Sequence, residues 1–309
     1  VTIAGRTATP SVCVVVPTRD RPALLARAVA SILAQNYPGE LEVLIVVDQD
    51  DPASATAELP PDRRVRVVTN TRKPGLSGTR NTGIMLATTD LVAFCDDDDE
   101  WLPRKLARQV RALTKVAGAE FATCSIEVDF EGSRSVRLAG RRLITHDDLL
   151  PSRMSMLHSS TFLIGRTALI DDIGLIDENV PGSQNEDWDL LLRASARAPI
   201  VHVDDPLVRV YWSSRSYFSR DWETKIASRT WMLERHPDIA ASRKGSARVY
   251  GQIAFAYAAS GQRGMALRWS SRAIKRRWKE PRAYLAMATV VGVPAEVIMR
   301  ALHKRGHGI

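Results

Sequence analysis

Leu91-Val92-Ala93-Phe94-Cys95-Asp96-Asp97-Asp98-Asp99-Glu100 runs an apolar stretch straight into four consecutive aspartates. A short apolar run bounded by polar residues reads as a buried strand. The carboxylates then stand at its C-terminal end, where open α/β sheets bind ligands. Four adjacent carboxylates repel one another, so the stretch demands positive charge among them. Hard oxygen ligands suit Mg²⁺ or Mn²⁺, ions that usually arrive with phosphates. The competing reading is a solvated acidic turn.

The surrounding sequence supplies a sheet for this strand to join. Val12-Cys13-Val14-Val15-Val16 is β-branched and stops at Pro17, which predicts a buried first strand. Leu24, Leu25, Ala28, Val29, Ile32 and Leu33 then repeat at helical spacing behind Pro22. Residues 41–47 predict a second strand ending at Asp48, and residues 65–68 a short third. Residues 76–87 predict a loop entering a helix, and residues 91–95 the fourth strand. This β-α-β-β-α-β order argues a mostly parallel, nucleotide-binding sheet of the α/β class.

Further on, the pattern predicts a helix over 103–116 and a hairpin of 121–130 with 135–138 around Glu131-Gly132. A strand over 160–164, an amphipathic helix over 187–198 and short strands over 200–203 and 208–211 follow. From Trp222 onward only helices are predicted, over 222–235, 246–260, 263–278, 281–291 and 294–303. Residues 256–274 have the small-aromatic spacing of one tetratricopeptide-like hairpin. One such unit cannot form a solenoid. The expected division is a catalytic domain over 1–217 and a basic, all-helical region over 218–309.

The charge follows the same division. The 309 residues carry 43 Lys+Arg against 35 Asp+Glu, a formal +8. Residues 222–309 hold 17 basic against 5 acidic side chains, or +12, and the remainder 26 against 30, or −4. A basic region on a mildly acidic body suits an anionic partner, be it lipid headgroups, a polyanionic acceptor or nucleic acid. Cys13, Cys95 and Cys124 are far apart, with no Cys-x-x-Cys or Cys/His cluster, so buried free thiols in a reducing compartment are expected. No secretory signal pattern is visible, and the apolar stretch over 283–295 is too short to span a bilayer. The expected location is cytoplasmic, with peripheral contact at the inner face of the membrane.

Five segments, in order, resemble family 2 glycosyltransferases: residues 12–22, Val46-Val47-Asp48, residues 75–83, the stretch 94–103 as the family's DXD region, and Asn185-Glu186-Asp187-Trp188-Asp189-Leu190. The resemblance implies a GT-A fold, a nucleoside-diphosphate-sugar donor (UDP foremost) and inversion at the anomeric carbon. It implies a glycan or lipid-linked glycan acceptor, a Mn²⁺ or Mg²⁺ cofactor and no nucleic acid. Pro17, Thr18 and Arg19 then face the base or ribose, unless they only end the strand. Asp48 accepts from a pyrimidine imide or caps a turn. Arg80 reaches a base or phosphate, while Gly78 and Gly83 allow close backbone approach or shape the turn.

Within the acidic run, alternation along an extended segment predicts Asp96 and Asp98 on one side and Asp97 on the other. By resemblance Asp98 is the foremost metal ligand, joined by Asp96, and Asp96 or Asp97 binds the ribose hydroxyls. Asp99 ligates through water or caps the following helix. An inverting transfer needs one general base facing the acceptor. Asp187 matches the family's base, with Glu186 as the runner-up; both also suit a helix start. Trp188 walls the acceptor site or packs in the core. His158 contacts donor or diphosphate, or is an ordinary loop histidine. Around residues 209–215 the chain departs from a common family pattern, since Trp212 stands about where a histidine is expected. Arg209 or Arg215 then supplies the positive charge on a closing loop. Two rival readings are a sugar-1-phosphate nucleotidyltransferase, which lacks its Gly-rich first loop here, and a non-catalytic nucleotide-sugar-binding adaptor.

Overall fold

Strand β1 (Val12–Thr18) is buried at all seven residues, as its unbroken apolar run requires in a sheet covered on both faces. The computed structural model describes residues 9–49, 63–212 and 221–304. Helix α1 (Pro22–Leu33) follows, with Pro22 in its first turn and Ala28 and Ile32 buried. Strand β2 (Leu41–Val47) pairs parallel with β1, and β3 (Arg63–Thr69) parallel with β2. Helix α2 (Leu76–Leu86) returns the chain to β4 (Leu91–Phe94), parallel to β1 on its other side. The order β3-β2-β1-β4 reverses direction between β1 and β4. That reversal opens a crevice at the carboxyl ends of those two strands.

The remainder of the sheet is mixed. It comprises β5 (Glu100–Trp101), β6 (Phe121–Phe130), β7 (Ser133–Arg137), β8 (Leu143–Ile144), β9 (Leu163–Gly165) and β10 (Ile200–Trp212), with helices α3 (Lys105–Thr114), α4 (His146–Leu149) and α5 (Glu186–Arg197) between them. The main path continues β4-β9-β6-β10-β5, with β7 on β6 and β8 on β10. β9 is antiparallel to both β4 and β6, while β10 is parallel to β6. The two short strands expected around 200–211 are one strand, and the intervening Asp204-Asp205-Pro206 is absorbed as a register shift against β6.

Glycines in α2 set how closely it packs. A Cβ on Gly83 would stand 2.3 Å from a methyl of Val15, so the helix rests directly on β1. One on Gly78 would stand 1.9 Å from the Lys73 carbonyl oxygen, so the loop folds tightly against the helix start. Both glycines therefore serve backbone approach within the chain itself.

The chain folds as two compact units. The first comprises Val1–His146, Met154–Glu178 and Glu186–Ser213; the second comprises Asp147–Arg153, Asn179–Asn185 and Ser214–Ile309. In the second unit helices α6 (Trp222–Arg235), α7 (Pro237–Ala241), α8 (Arg243–Ala259), α9 (Arg263–Arg276), α10 (Pro281–Val290) and α11 (Ala295–Lys304) follow one another. Asp221 and Ser242 cap α6 and α8 through the amides of Thr224 and Gly245. The expected hairpin is α8–α9, turning at Gly261 with φ +80° and closed by the edge contact of Tyr250 with Trp269. The buried core of the unit includes Ala254, Phe255, Ala258, Ala266, Ala286 and Ile298. Among the described residues no helix is long and apolar enough to cross a membrane. Cys13, Cys95 and Cys124 are free and buried.

Candidate active site

Strand register brings the sequence motifs together. Val15 lies opposite Phe94, so three residues further along Thr18 meets Asp97, and its hydroxyl donates to Asp97 Oδ2 at 2.7 Å. Ala93 lies opposite Leu163 in the antiparallel pair, so Ser160 meets Asp96. The Asp96 amide donates to Ser160 Oγ at 3.0 Å, and that hydroxyl donates to Asp99 Oδ2 at 2.5 Å. Three separate chain segments thus meet at the end of β4.

The acidic run is a turn and not an extended segment: the Asp99 amide donates to the Asp96 carbonyl at 3.1 Å. The expected alternation fails for that reason. Asp97 and Asp98 share Arg21, whose Nη1 lies 3.2 Å from Asp97 Oδ1 and 3.1 Å from Asp98 Oδ2. Asp96 and Asp99 turn instead toward His158, whose Nδ1 is 3.3 Å from Asp99 Oδ2. Ligand atoms of Asp96, Asp99 and His158 all lie within 4.8 Å of one another. Two carboxylates and an imidazole at that spacing fit one divalent cation. Asp98 stands two-fifths exposed beside them. Burial, then the charges of Asp99, Asp96 and Asp97, push its carboxyl up to about 7, although solvent at that exposure moderates the rise. The cluster therefore carries more negative charge than its own arginines offset, the condition that favours a cation.

Arg80 is the hub of the site. Its side chain is 1% exposed on α2. One nitrogen donates to Glu186 Oε1 at 2.7 Å, and the other to Asp96 Oδ1 at 2.5 Å and Ser159 Oγ at 2.9 Å. Its Nε is buried without a hydrogen-bond partner. Burial pushes Asp96 upward, but Arg80 and His158 override it and hold the carboxyl below its ordinary value. Glu186 responds the other way: burial and the neighbouring Asp187 push it up to about 7 against the pull of Arg80. Glu186 and Asp187 open α5 and are both buried, with Asp187 Oδ1 accepting the Trp188 amide at 2.7 Å. Trp188 is 4% exposed, part of the core.

Asp48 is buried at the end of β2, where it accepts from Asn70 Nδ2 at 2.9 Å and the Gly75 amide at 3.0 Å, so it ties the loop that leads into α2. Pro17 is buried and Arg19 exposed. Arg209 is bound in the sheet, to Glu127 at 2.6 Å and Glu100 at 3.2 Å. Arg215 lies outside the described residues. Sequence reasoning gave no role to Arg21, although it stands in the first motif. It also gave none to Glu178, which pairs with Arg72 and accepts from Asn81 at 2.8 Å.

The fold is that of the GT-A glycosyltransferases. The crystal structure of S. aureus TarS 1-349 in complex with UDP-GlcNAc superposes with a TM-score of 0.59 over 96% of this chain and 92% of that one, at 15% identity. The mannosyltransferase PcManGT from Pyrobaculum calidifontis, in complex with GDP-Man and Mn²⁺, gives 0.52 over 92% and 81%, at 18% identity. The chain belongs to glycosyl transferase family 2, which matches residues 13–172. It is 32% identical over 162 residues to the GalNAc(5)-diNAcBac-PP-undecaprenol beta-1,3-glucosyltransferase of Campylobacter jejuni, covering 50% of this chain and 52% of that protein. It is 34% identical over 176 residues to the succinoglycan biosynthesis protein ExoW of Rhizobium meliloti, covering 50% and 54%. The chain spans about half the length of these two curated relatives.

Proposed function

We propose that the protein transfers a sugar from a nucleoside diphosphate, UDP foremost, to an acceptor hydroxyl with inversion, in the synthesis of a bacterial surface glycan. The carrying observation is the convergence of Asp96, Asp99 and His158 at the β1/β4 crevice, joined through Arg80 to the Glu186-Asp187 pair. One cluster suits the diphosphate of a donor and the other an acceptor hydroxyl. The relatives' names support the same chemistry, and one of them acts on a diphospholipid-linked glycan.

In this reading the catalytic domain spans 1–217. Pro17, Thr18, Arg19, Asp48 and Asp97 line the base and ribose, and Arg215 adds charge to the diphosphate. Asp96 and Asp98 would hold the metal together with Asp99 and His158. When bound, the divalent ion offsets charge developing on the leaving nucleoside diphosphate. Asp187 removes the proton from the acceptor hydroxyl, and Glu186 is the alternative base. The freed oxygen attacks the anomeric carbon, the bond from that carbon to the diphosphate oxygen breaks, and the electron pair leaves with the nucleotide. The basic region over 218–309 supports peripheral contact with an anionic membrane carrying the acceptor.

Thermal unfolding with UDP, dTDP, GDP, CDP and ATP, each with and without Mn²⁺, tests the donor half. A ligand that binds only the folded state raises the midpoint by mass action. A metal-dependent rise with UDP is expected; no rise with any nucleotide overturns the reading.

A further inference from the structure

The helical unit contains a basic cavity of about 390 Å³ whose lining includes Lys244 and Arg248 from α8, Arg277 and Lys279 from the turn after α9, and Glu280 and Arg282 at the start of α10. Five cations face one carboxylate. That carboxylate is already engaged: Glu280 is 1% exposed and accepts from Arg282 Nη1 at 2.8 Å. Arg282 Nε is buried without a hydrogen-bond partner. The packing that forces this crowding is specific. A Cβ on Gly251 of α8 would stand 2.9 Å from Arg282 Cβ and 3.2 Å from Glu280 Cγ, so the two helices touch there. Arg248 lies one turn before Gly251 on α8, which puts its guanidinium into the same basin.

The cost of this arrangement is visible in its electrostatics. Burial, then the charges of Arg282 and Arg153, lower Arg248 to about 10, with Glu280 opposing. Arg229 is lowered to about 10 by burial and by Arg153, Arg282 and Arg248. A fold that gathers guanidiniums at its own expense gains when an anion joins them. The formal excess of four positive charges in the lining exceeds what a single carboxylate can neutralise. The volume lies within the range of small-molecule sites, and Lys244, Arg277 and Lys279 are exposed to an arriving anion. Guanidinium forks match phosphoryl oxygens in pairs.

We propose that this cavity is a phosphate-binding site, taking a phosphate or diphosphate group carried on a soluble metabolite or on a lipid headgroup. The site lies wholly in the helical unit and does not rest on the proposed sugar transfer, so a failed donor assay leaves it standing.

The test uses the intact protein in EDTA at low ionic strength, which withholds any divalent ion from the acidic cluster. Inorganic pyrophosphate is titrated calorimetrically into wild type, Arg248→Gln and Lys279→Glu. Each variant is expected to weaken binding by about tenfold or more, the loss of roughly one charge-assisted hydrogen bond. Arg248→Lys should recover part of it. Lys279 is exposed, so its variant keeps the wild-type melting profile and reports on binding alone. Absence of pyrophosphate binding to wild type, or binding to both variants as tight as to wild type, overturns the proposal. Co-sedimentation with phosphatidylglycerol vesicles separates the sources. Vesicle binding that pyrophosphate displaces and Arg248→Gln weakens assigns a lipid-borne phosphate. Pyrophosphate binding with no vesicle binding assigns a soluble one.

Discussion

Arg80→Met should be the most damaging single change at the acidic site. The methionine keeps most of the apolar stem but removes the cation from between Asp96 and Glu186, both within 2.7 Å of the guanidinium. Stripping one partner from a buried ion pair costs about 3–5 kcal/mol, because the remaining charge stays desolvated. A unit of 150–250 residues loses roughly 2–4 °C per kcal/mol, so the midpoint should fall by about 6–20 °C. The loss should also depend on pH. Without Arg80, both carboxyls have folded-state pKa values above their unfolded ones. An acid raised in this way contributes stability below its unfolded pKa, and loses it as pH rises through the folded value. The deficit should therefore be small near pH 5 and full near pH 8. Calorimetric unfolding of the metal-free protein across that window measures it. A deficit below about 1 kcal/mol, or one that is flat with pH, would refute the assignment of Arg80 as the charge that makes the cluster tolerable.

Asp187→Asn should lower turnover by about 10²–10⁴-fold while leaving UDP binding intact; unchanged turnover removes Asp187 as the base. Gly83→Ala should destabilise by about 1–3 kcal/mol through overpacking against Val15, read from denaturant midpoints. Lys105 is fully buried, its amine has no hydrogen-bond partner, and burial lowers it to about 8. A base lowered in this way is most at home above its unfolded pKa and costs about 3 kcal/mol at pH 7, less its contact with the Trp101 ring. Lys105→Met should accordingly raise the melting temperature at pH 7 and do so far less at pH 10. His202, held between Thr123 and Ser125 at 2.9 and 3.0 Å, is pushed down to about 4 by burial. Its contribution is present above about pH 6.5 and fades as pH falls through about 4, so His202→Gln should remove about 3 kcal/mol of the acid-side loss seen in wild type.

Much of the first unit was legible because strand ends announce themselves. β1 and β2 appear as apolar runs that stop at Pro17-Thr18 and Asp48, and their parallel pairing follows from the helices between strands. The partners inside the site were less legible, because pairing between distant segments depends on register. Nothing local says that Ser160 stands beside Asp96, or that Arg209 spends its charge on Glu127 and Glu100 across two neighbouring strands. The alternation rule misplaced Asp98 because it assumes extended backbone, and four aspartates with converging partners fold into a turn instead. β10 was split in two because Asp204-Asp205-Pro206 looks like a break, whereas the sheet accommodates it as a slip against β6. In the second unit the helical repeat showed the hairpin, but the crowding of arginines around Glu280 requires the α8–α10 contact, which no periodicity reveals.

The shared register of β1, β4 and β9 has a consequence for how this chain tolerates change in length. Thr18, Asp97 and Ser160 meet only because three strands are in phase over the residues before them. Deleting one residue anywhere within 12–17 would turn every following side chain of β1 to the opposite face and present Arg19 to Asp97 in place of Thr18. A deletion at the turn between β6 and β7, where Phe130 pairs with Ser133 around Glu131-Gly132, would instead reset the register of β7, which carries none of the site residues. Substitutions at the site test its chemistry; single-residue deletions would map where the chain must keep count.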